Sequence, residues 1–253
     1  MFKFKSIKTL AVARVFCCTK CEAQAYFESM KKKVLVVGAK GKMGSVICEK
    51  LKNDYEIVEA QKGCDWANFQ ADLVVDFGSA ESSFLSAKWA SEERVPLIIG
   101  STGQTENELL EIRNTCKNIP FMICRNFSIG VALVKSCISQ ILNLKIDDIC
   151  IFEKHHKNKK DSPSGTALAL KQFVFERFDG NIQMLAERGG EEIGTHVIDF
   201  YFGSELIEIK HSAFSRKAFA DGVKLSVDYL FEKRESGEIV FDEILKKKFK
   251  LNY

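Results

Sequence analysis

Residues 33–44 read KVLVVGAKGKMG. The uninterrupted apolar run Val34-Leu35-Val36-Val37, mostly β-branched, is the pattern of a strand covered on both faces of a parallel sheet. Gly38, Gly41 and Gly44 follow at the junction with a helical pattern: the first permits a tight turn, the second lets the backbone approach a pyrophosphate, and the third lets the helix pack against the sheet. The N–H groups and dipole of that helix's first turn make an anion site, with Lys40, Lys42 and Met43 in the loop. The spacing is Gly-x-x-Gly-x-x-Gly rather than Gly-x-Gly-x-x-Gly. By itself it reflects only strand–turn–helix sterics; its place between a buried strand and a helix makes it a dinucleotide loop.

Outward from this loop, apolar strands alternate with helical spacing. YEIVEA (55–60), ADLVVDFG (71–78), PLIIGSTG (96–103) and IPFMICRNFS (119–128) read as strands; the segments from Gly44, Ser79 and Thr105 read as helices, the last with a Thr105/Glu108 capping box. This predicts a doubly wound, Rossmann-like parallel sheet. An NAD-preferring site of this kind carries an acid at the end of the second strand. Here Gln61-Lys62 stands there, with Glu59 slightly earlier, so the sequence predicts NADPH to be accepted at least as well as NADH. After Ser128 the texture changes to an amphipathic helix (129–144), a strand (147–156), a helix (164–178), antiparallel strands (194–203 and 205–214) and a helix (219–234), which predicts a second, α+β domain. LKKKFKLNY (245–253) reads as a solvated basic tail.

Composition sets limits. The chain has 253 residues, enough for two modest domains with real cores, and 46% hydrophobic with 28% charged residues is the balance of a soluble globular protein. No apolar run approaches the ~18 residues that span a bilayer. The net charge of +3 is carried by residues 1–29, with five basic against two acidic side chains, which leaves a neutral body that argues against nucleic acid as a partner. Cys48, Cys64, Cys116, Cys124, Cys137 and Cys150 are scattered singly, the usage of reduced thiols in a reducing, cytoplasmic setting. Cys18 and Cys21, with Cys17 beside them, form one Cys-x-x-Cys without the second pair or histidines a zinc site needs, so no metal is expected. Residues 1–29 outline a signal peptide broken by Arg14, and read as a leader outside the fold: a misassigned start or, as runner-up, an organellar presequence.

Residues 152–170, FEKHHKNKKDSPSGTALAL, hold two of the chain's four histidines. Asp161 or Ser162 is the expected cap and Pro163 the first helical position, with Ser164, Gly165 and Thr166 exposing N–H groups to a second anion. His155 and His156, beside Lys157, Lys159 and Lys160, suit a dianionic substrate that must receive a proton; like charge lowers a histidine pKa toward donation near neutral pH. Lys157 and Lys160 read as a solvated rim that steers the dianion. His196 and His211 read as hydrogen-bonded core or interface residues, Arg188 as closing a glycine turn or positioning a catalytic loop, and Asp76 and Glu81 as capping residues or nucleotide neighbours.

The pattern Glu153-x-His155-His156-x-x-Lys159-x-Asp161-x-Pro163-Ser164-Gly165-Thr166-Ala167 resembles the signature of the bacterial dihydrodipicolinate reductase family. GAKGKMG, GSTG (100–103), RNFSIGV, RGGEEIGTHVIDF and HSAFSRKAFADG are similar to further family stretches, so the resemblance runs from about Lys32 to the C-terminus. It implies NAD(P)H-dependent reduction of 4-hydroxy-tetrahydrodipicolinate to tetrahydrodipicolinate on the diaminopimelate and lysine pathway, in a cytoplasmic homotetramer. It implies His155 as general acid, Lys159 as second proton donor, and His156, Lys159, Gly165 and Thr166 on the substrate carboxylates. The cofactor would meet Gly38, Lys40, Gly41, Lys42, Met43, Gln61 and Lys62, with Gly100, Ser101, Thr102 and Cys124, Arg125, Asn126 and Phe127 nearer the nicotinamide. It further implies a nucleotide domain of 30–127 plus 217–253 and a substrate and oligomerisation domain of 128–216. Two departures stand out: Gln61 where members often carry an acid, and Arg125 where they tend to be small and apolar. A silent redox-sensing NAD(P) binder would be free to lose His155 or Lys159, and both are present. Another Rossmann-type reductase would want a nucleophilic cysteine or a different lysine pattern.

Overall fold

The structure, a computed structural model, describes residues 31–233 and 235–251. The leader, with its cysteine pair and its expected processing, lies outside these residues.

A six-stranded sheet is all parallel, in the order β10-β5-β4-β3-β1-β2. Its strands are β1 (Lys33–Val37), β2 (Glu56–Ala60), β3 (Leu73–Asp76), β4 (Leu97–Ile99), β5 (Pro120–Ile123) and the two-residue β10 (Gly237–Glu238). Helices α1 (Gly44–Leu51), α2 (Ala80–Glu93) and α3 (Glu106–Cys116) alternate with the strands. The β2–β3 crossover holds only a short 3-10 turn over Trp66–Asn68, in which Asp65 accepts from Ala67 N. Strand β1 shows why its apolar run is uninterrupted: Val34 and Val36 enter the core under α1, whereas Leu35 and Val37 enter the core under α2 and α3. The strand order reverses between β1 and β3, and a doubly wound sheet binds its ligand at the C-terminal strand ends there.

The second sheet has four strands in the order β7-β6-β8-β9: β6 (Asp148–His155), β7 (Asn181–Arg188), β8 (Gly194–Phe202) and β9 (Glu205–Ala213). Helices α4 (Ile129–Ile141) and α5 (Gly165–Phe175) cover one face, burying Val131, Val134, Ile138, Leu170 and Val174 against Ile149, Ile151, Ile198 and Phe200. The register puts Phe152, Leu185, Val197, Tyr201 and Leu206 on the opposite face, which no described element covers.

The chain then returns to the first sheet. Helix α6 (Lys217–Glu232) packs beside α1, β10 extends the edge at β5, and α7 (Phe241–Phe249) buries Phe241, Ile244 and Leu245 with Val223 and Val227. The expected solvated tail is therefore corrected. Leu245 is core, and the segment is helical because Phe241, Ile244 and Leu245 fall on one face, with acids in the first turn and lysines in the last. The strands expected over 194–203 and 205–214 pair antiparallel, and β7, which the sequence reading did not identify, joins β6 in parallel and makes the sheet mixed.

Candidate active site

The register of the second sheet gathers its polar residues. On β6, Ile149 and Ile151 point to the helix-covered face, and by the period of two so do Glu153 and His155. Their cross-strand partners are His196 on β8 and Arg188 on β7, and His211 lies opposite His196 on β9. Glu153 is fully buried. Its carboxylate accepts from Arg188 at 2.7 Å and from Ser164 N at 3.0 Å, and lies 2.5 Å from His155 Nδ1. Arg188 also donates to the Asp161 carbonyl at 2.5 Å. It thus ties β7 to the loop after β6. The imidazoles of His155 and His196 meet edge to face at 5.3 Å, and His196 stacks on His211 at 6.2 Å.

Burial alone would raise the Glu153 carboxyl, but Arg188, Ser164 and His155 hold it below the usual range, so it is ionised. His155 is lowered first by burial; Glu153 opposes this, and Lys159 and Arg188 add to it. The like charge expected from the sequence is therefore present but secondary. His196 is pushed down to about 4, by burial and then by His155 and His211. Glu153, His155 and His196 bring one ligand atom each within 4.8 Å, the spacing of a metal set. Glu153 is already committed to Arg188 and Ser164, and the charges of Lys159 and Arg188 bear on His155, so the group is built for protons and a carboxylate rather than a cation.

Ser164, not Asp161 or Ser162, caps α5: its hydroxyl accepts from Ala167 N. Pro163 follows a cis peptide bond and stands before the helix, which corrects its expected first-turn position. A Cβ added at Gly165 would meet nothing within 4 Å, so the start of α5 opens onto free space. Lys159 contacts Asp161 at 2.8 Å and its N–H donates to the His156 carbonyl, while His156 N donates to the Glu192 carbonyl. Across the cleft, Asn126 donates to the Thr166 hydroxyl at 2.8 Å and joins the two halves.

On the other wall, Gly38 has φ +76 and its backbone touches that of Gly78, while Gly44 lies so close to Gly38 that a Cβ would fall 2.1 Å from its carbonyl oxygen. Helix α1 starts at Met43 with no side-chain cap and no acid in its first turn, the condition that suits a pyrophosphate. Lys40, Gly41, Lys42, Gln61 and Lys62 are exposed around this corner. Asp76 does not cap a helix end. Its buried carboxylate accepts from Gly78 N and the Ser82 and Ser86 hydroxyls, which shapes the turn after β3. Ser101 is buried with its hydroxyl accepting from Gln104, and Cys124 turns into the core with its thiol pushed up to about 12 by burial. Arg125 is exposed and lies 3.8 Å from Glu106.

Between the walls is a cleft of about 1300 Å³. It brings together Met43, Gly100, Thr102, Arg125, Asn126 and Phe127 from one side and His155, His156, Lys159, Gly165 and Thr166 from the other. Gly38, Lys40, Gly41, Lys42, Gln61, Lys62, Ser101 and Cys124 lie outside its lining. Phe77, Gln104, Arg216 and Phe219 also line it, and sequence reasoning did not reach them. For Arg216 a signal existed: a cation at a helix N-terminus opposes the dipole, so its placement serves something else.

Residues 61–127 match the family model described as dihydrodipicolinate reductase, N-terminus, and residues 130–245 match dihydrodipicolinate reductase, C-terminus. Curated relatives include 4-hydroxy-tetrahydrodipicolinate reductases from Clostridium perfringens (30% identical over 86% of this chain and 99% of that one) and from Clostridium tetani (35%, over 75% and 88%). In fold, the chain is similar to dipicolinate-bound dihydrodipicolinate reductase from Paenisporosarcina sp. TG-14, with a TM-score of 0.68 and 21% identity over 83% of this chain and 98% of that one.

Proposed function

The chain belongs to the dihydrodipicolinate reductase family, and from that premise we propose that it uses NAD(P)H to reduce 4-hydroxy-tetrahydrodipicolinate to tetrahydrodipicolinate, with release of water, in diaminopimelate and lysine biosynthesis. The observation that carries this reading is the cleft itself: strand ends suited to a dinucleotide face an imidazole, an ammonium and an open helix start. When bound, the reduced nicotinamide supplies the hydride.

Gly38, Lys40, Gly41, Lys42 and Met43 hold the pyrophosphate, supported by the uncapped start of α1, and Gln61 and Lys62 receive the adenosine end without repelling a 2′-phosphate. Gly100, Ser101 and Thr102 with the 124–127 segment shape the nicotinamide end. His156, Lys159 and the N–H groups of Gly165 and Thr166 bind the two substrate carboxylates. His155 provides the proton that balances hydride addition and loss of water, with Lys159 as second donor. Residues 30–127 plus 217–253 then form the cofactor half, and 128–216 the substrate half.

The second half also assembles the homotetramer, through the uncovered sheet face. That face carries Leu185, Tyr201 and Leu206, together with Asp199, whose Oδ1 is buried without a hydrogen-bond partner. The six described cysteines are free, in keeping with a cytoplasmic setting. Among the described residues no helix is long and apolar enough to cross a membrane.

The test couples the protein to dihydrodipicolinate synthase, pyruvate and aspartate semialdehyde and follows reduced cofactor by absorbance. Synthase-dependent oxidation of NADPH is expected; its absence rejects the reaction.

A further inference from the structure

We propose that Glu153 and Arg188 are positioning residues for His155: the carboxylate pinned by Arg188 takes the protonated Nδ1 of the imidazole and leaves Nε2 as the nitrogen that exchanges a proton with substrate. The proposal rests on the reading of His155 as the acid of the cleft.

The geometry leaves Glu153 little choice. It is fully buried, so water does not share its lone pairs, and one oxygen is occupied by Arg188 at 2.7 Å and Ser164 N at 3.0 Å. The other lies 2.5 Å from His155 Nδ1, an ion-pair contact outside hydrogen-bond alignment. An ionised carboxylate only accepts, so an unprotonated Nδ1 this close would set two lone pairs against each other, which favours the neutral ring with its proton on Nδ1. The opposite side of the ring is held as well. A Cβ added at Gly194 would fall 2.7 Å from Nε2, so the ring packs close over the Gly194 backbone in a space that only glycine leaves open.

Charge points the same way. The titratable and charged groups around His155 are Glu153 on its own strand, Arg188 on β7, His196 on β8 with His211 behind it, and Lys159 on the following loop. Glu153 is the carboxylate in contact with the ring, whereas Asp161 is paired with Lys159, so Glu153 favours the imidazolium that a general acid must form. Arg188 does a second thing through the same guanidinium: by donating to the Asp161 carbonyl at 2.5 Å it fixes the loop that carries Lys159. One buried ion pair thus sets both the tautomer of the first proton donor and the place of the second.

The test is nitrogen NMR of the four imidazoles in isotopically labelled, full-length protein without ligand, with His155→Gln identifying the resonance. A proton on Nδ1 of neutral His155 is expected; a proton on Nε2 overturns the proposal, whatever the activity. Glu153→Gln keeps the shape and removes the charge. It should lower kcat roughly 10- to 100-fold, change the substrate KM less than about threefold, and move the alkaline limb of the kcat profile to lower pH. A variant with an unmoved pH profile, or with only a raised KM, overturns the proposal and makes Glu153 a loop fastener. If the variant does not fold, the tautomer in the unaltered protein decides alone. A protein with the Nδ1 proton but no synthase-dependent turnover supports the positioning and rejects the reaction.

Discussion

Acidification should destabilise this protein through His196. The ring is 4% exposed, packed between His155 and His211, and its pKa is pushed from 6.5 to about 4. An unfolded chain binds that proton near pH 6.5 and the folded one only near pH 4, so between these values the unfolded state holds more protons and stability falls with pH. The loss from this one ring is about 2 kcal/mol between pH 7 and pH 5, and levels off near 3 kcal/mol below the folded value. For a chain of this size it corresponds to a drop in Tm of about 4–8 °C. His155 and His211 are lowered in the same direction and steepen the slope; Glu153, also lowered, contributes its own loss only at more acid pH. Urea unfolding followed by circular dichroism at pH 7 and pH 5, on the protein and on His196→Gln, measures the effect. The glutamine keeps a polar contact for Ser164, which lies 3.4 Å from the ring, but takes no proton. Equal losses in the two proteins would refute the reasoning.

Three further perturbations address the cleft. His155→Gln should lower kcat roughly 100-fold with the substrate KM nearly unchanged, as steady-state kinetics would show; an equal loss in KM would make His155 a carboxylate ligand instead. Lys62→Glu should shift the NADPH/NADH ratio of kcat/KM toward NADH, and an unchanged ratio removes Lys62 from cofactor choice. Gly44→Ala places a Cβ 2.1 Å from Gly38 O and 2.7 Å from its carbonyl carbon, both backbone atoms. It should cost at least ~1–3 kcal/mol in a thermal melt and raise the cofactor KM.

The alternation of strands and helices was legible because parallel strands buried on both faces leave long apolar runs, and β1, β3 and β4 have no exposed residue in mid-strand. The capping box at Thr105 and Glu108 formed as written, since its hydrogen bonds are local. Strand β7 was hidden by its position. At the sheet edge it is mostly exposed, and Met184, Leu185, Ala186 and Glu187 are helix formers that only pairing with β6 holds extended. Helix α7 lacks a side-chain cap at Val240, so its start is marked only by the acids of its first turn. The histidine motif could be read from spacing. The Glu153–Arg188 pair could not, because 35 residues separate partners that only the parallel register brings together. Arg216 and Phe219 reach the cleft through the chain's return to the first sheet, which no local pattern announces.

That return carries a consequence for how the protein is made. Val34, Val36, Ile47 and Leu51 lie near the start of the described chain, and their core partners Val227, Leu230, Phe241, Ile244 and Leu245 lie near its end. During synthesis one side of the first sheet therefore emerges covered by α1 but without α6 and α7, and stays so until almost the whole polypeptide has left the ribosome, whereas the mixed sheet in the middle can close earlier. A premature stop at codon 236 would spare every residue of the histidine cluster and still remove β10 and α7, leaving an apolar surface for chaperones and proteases to find.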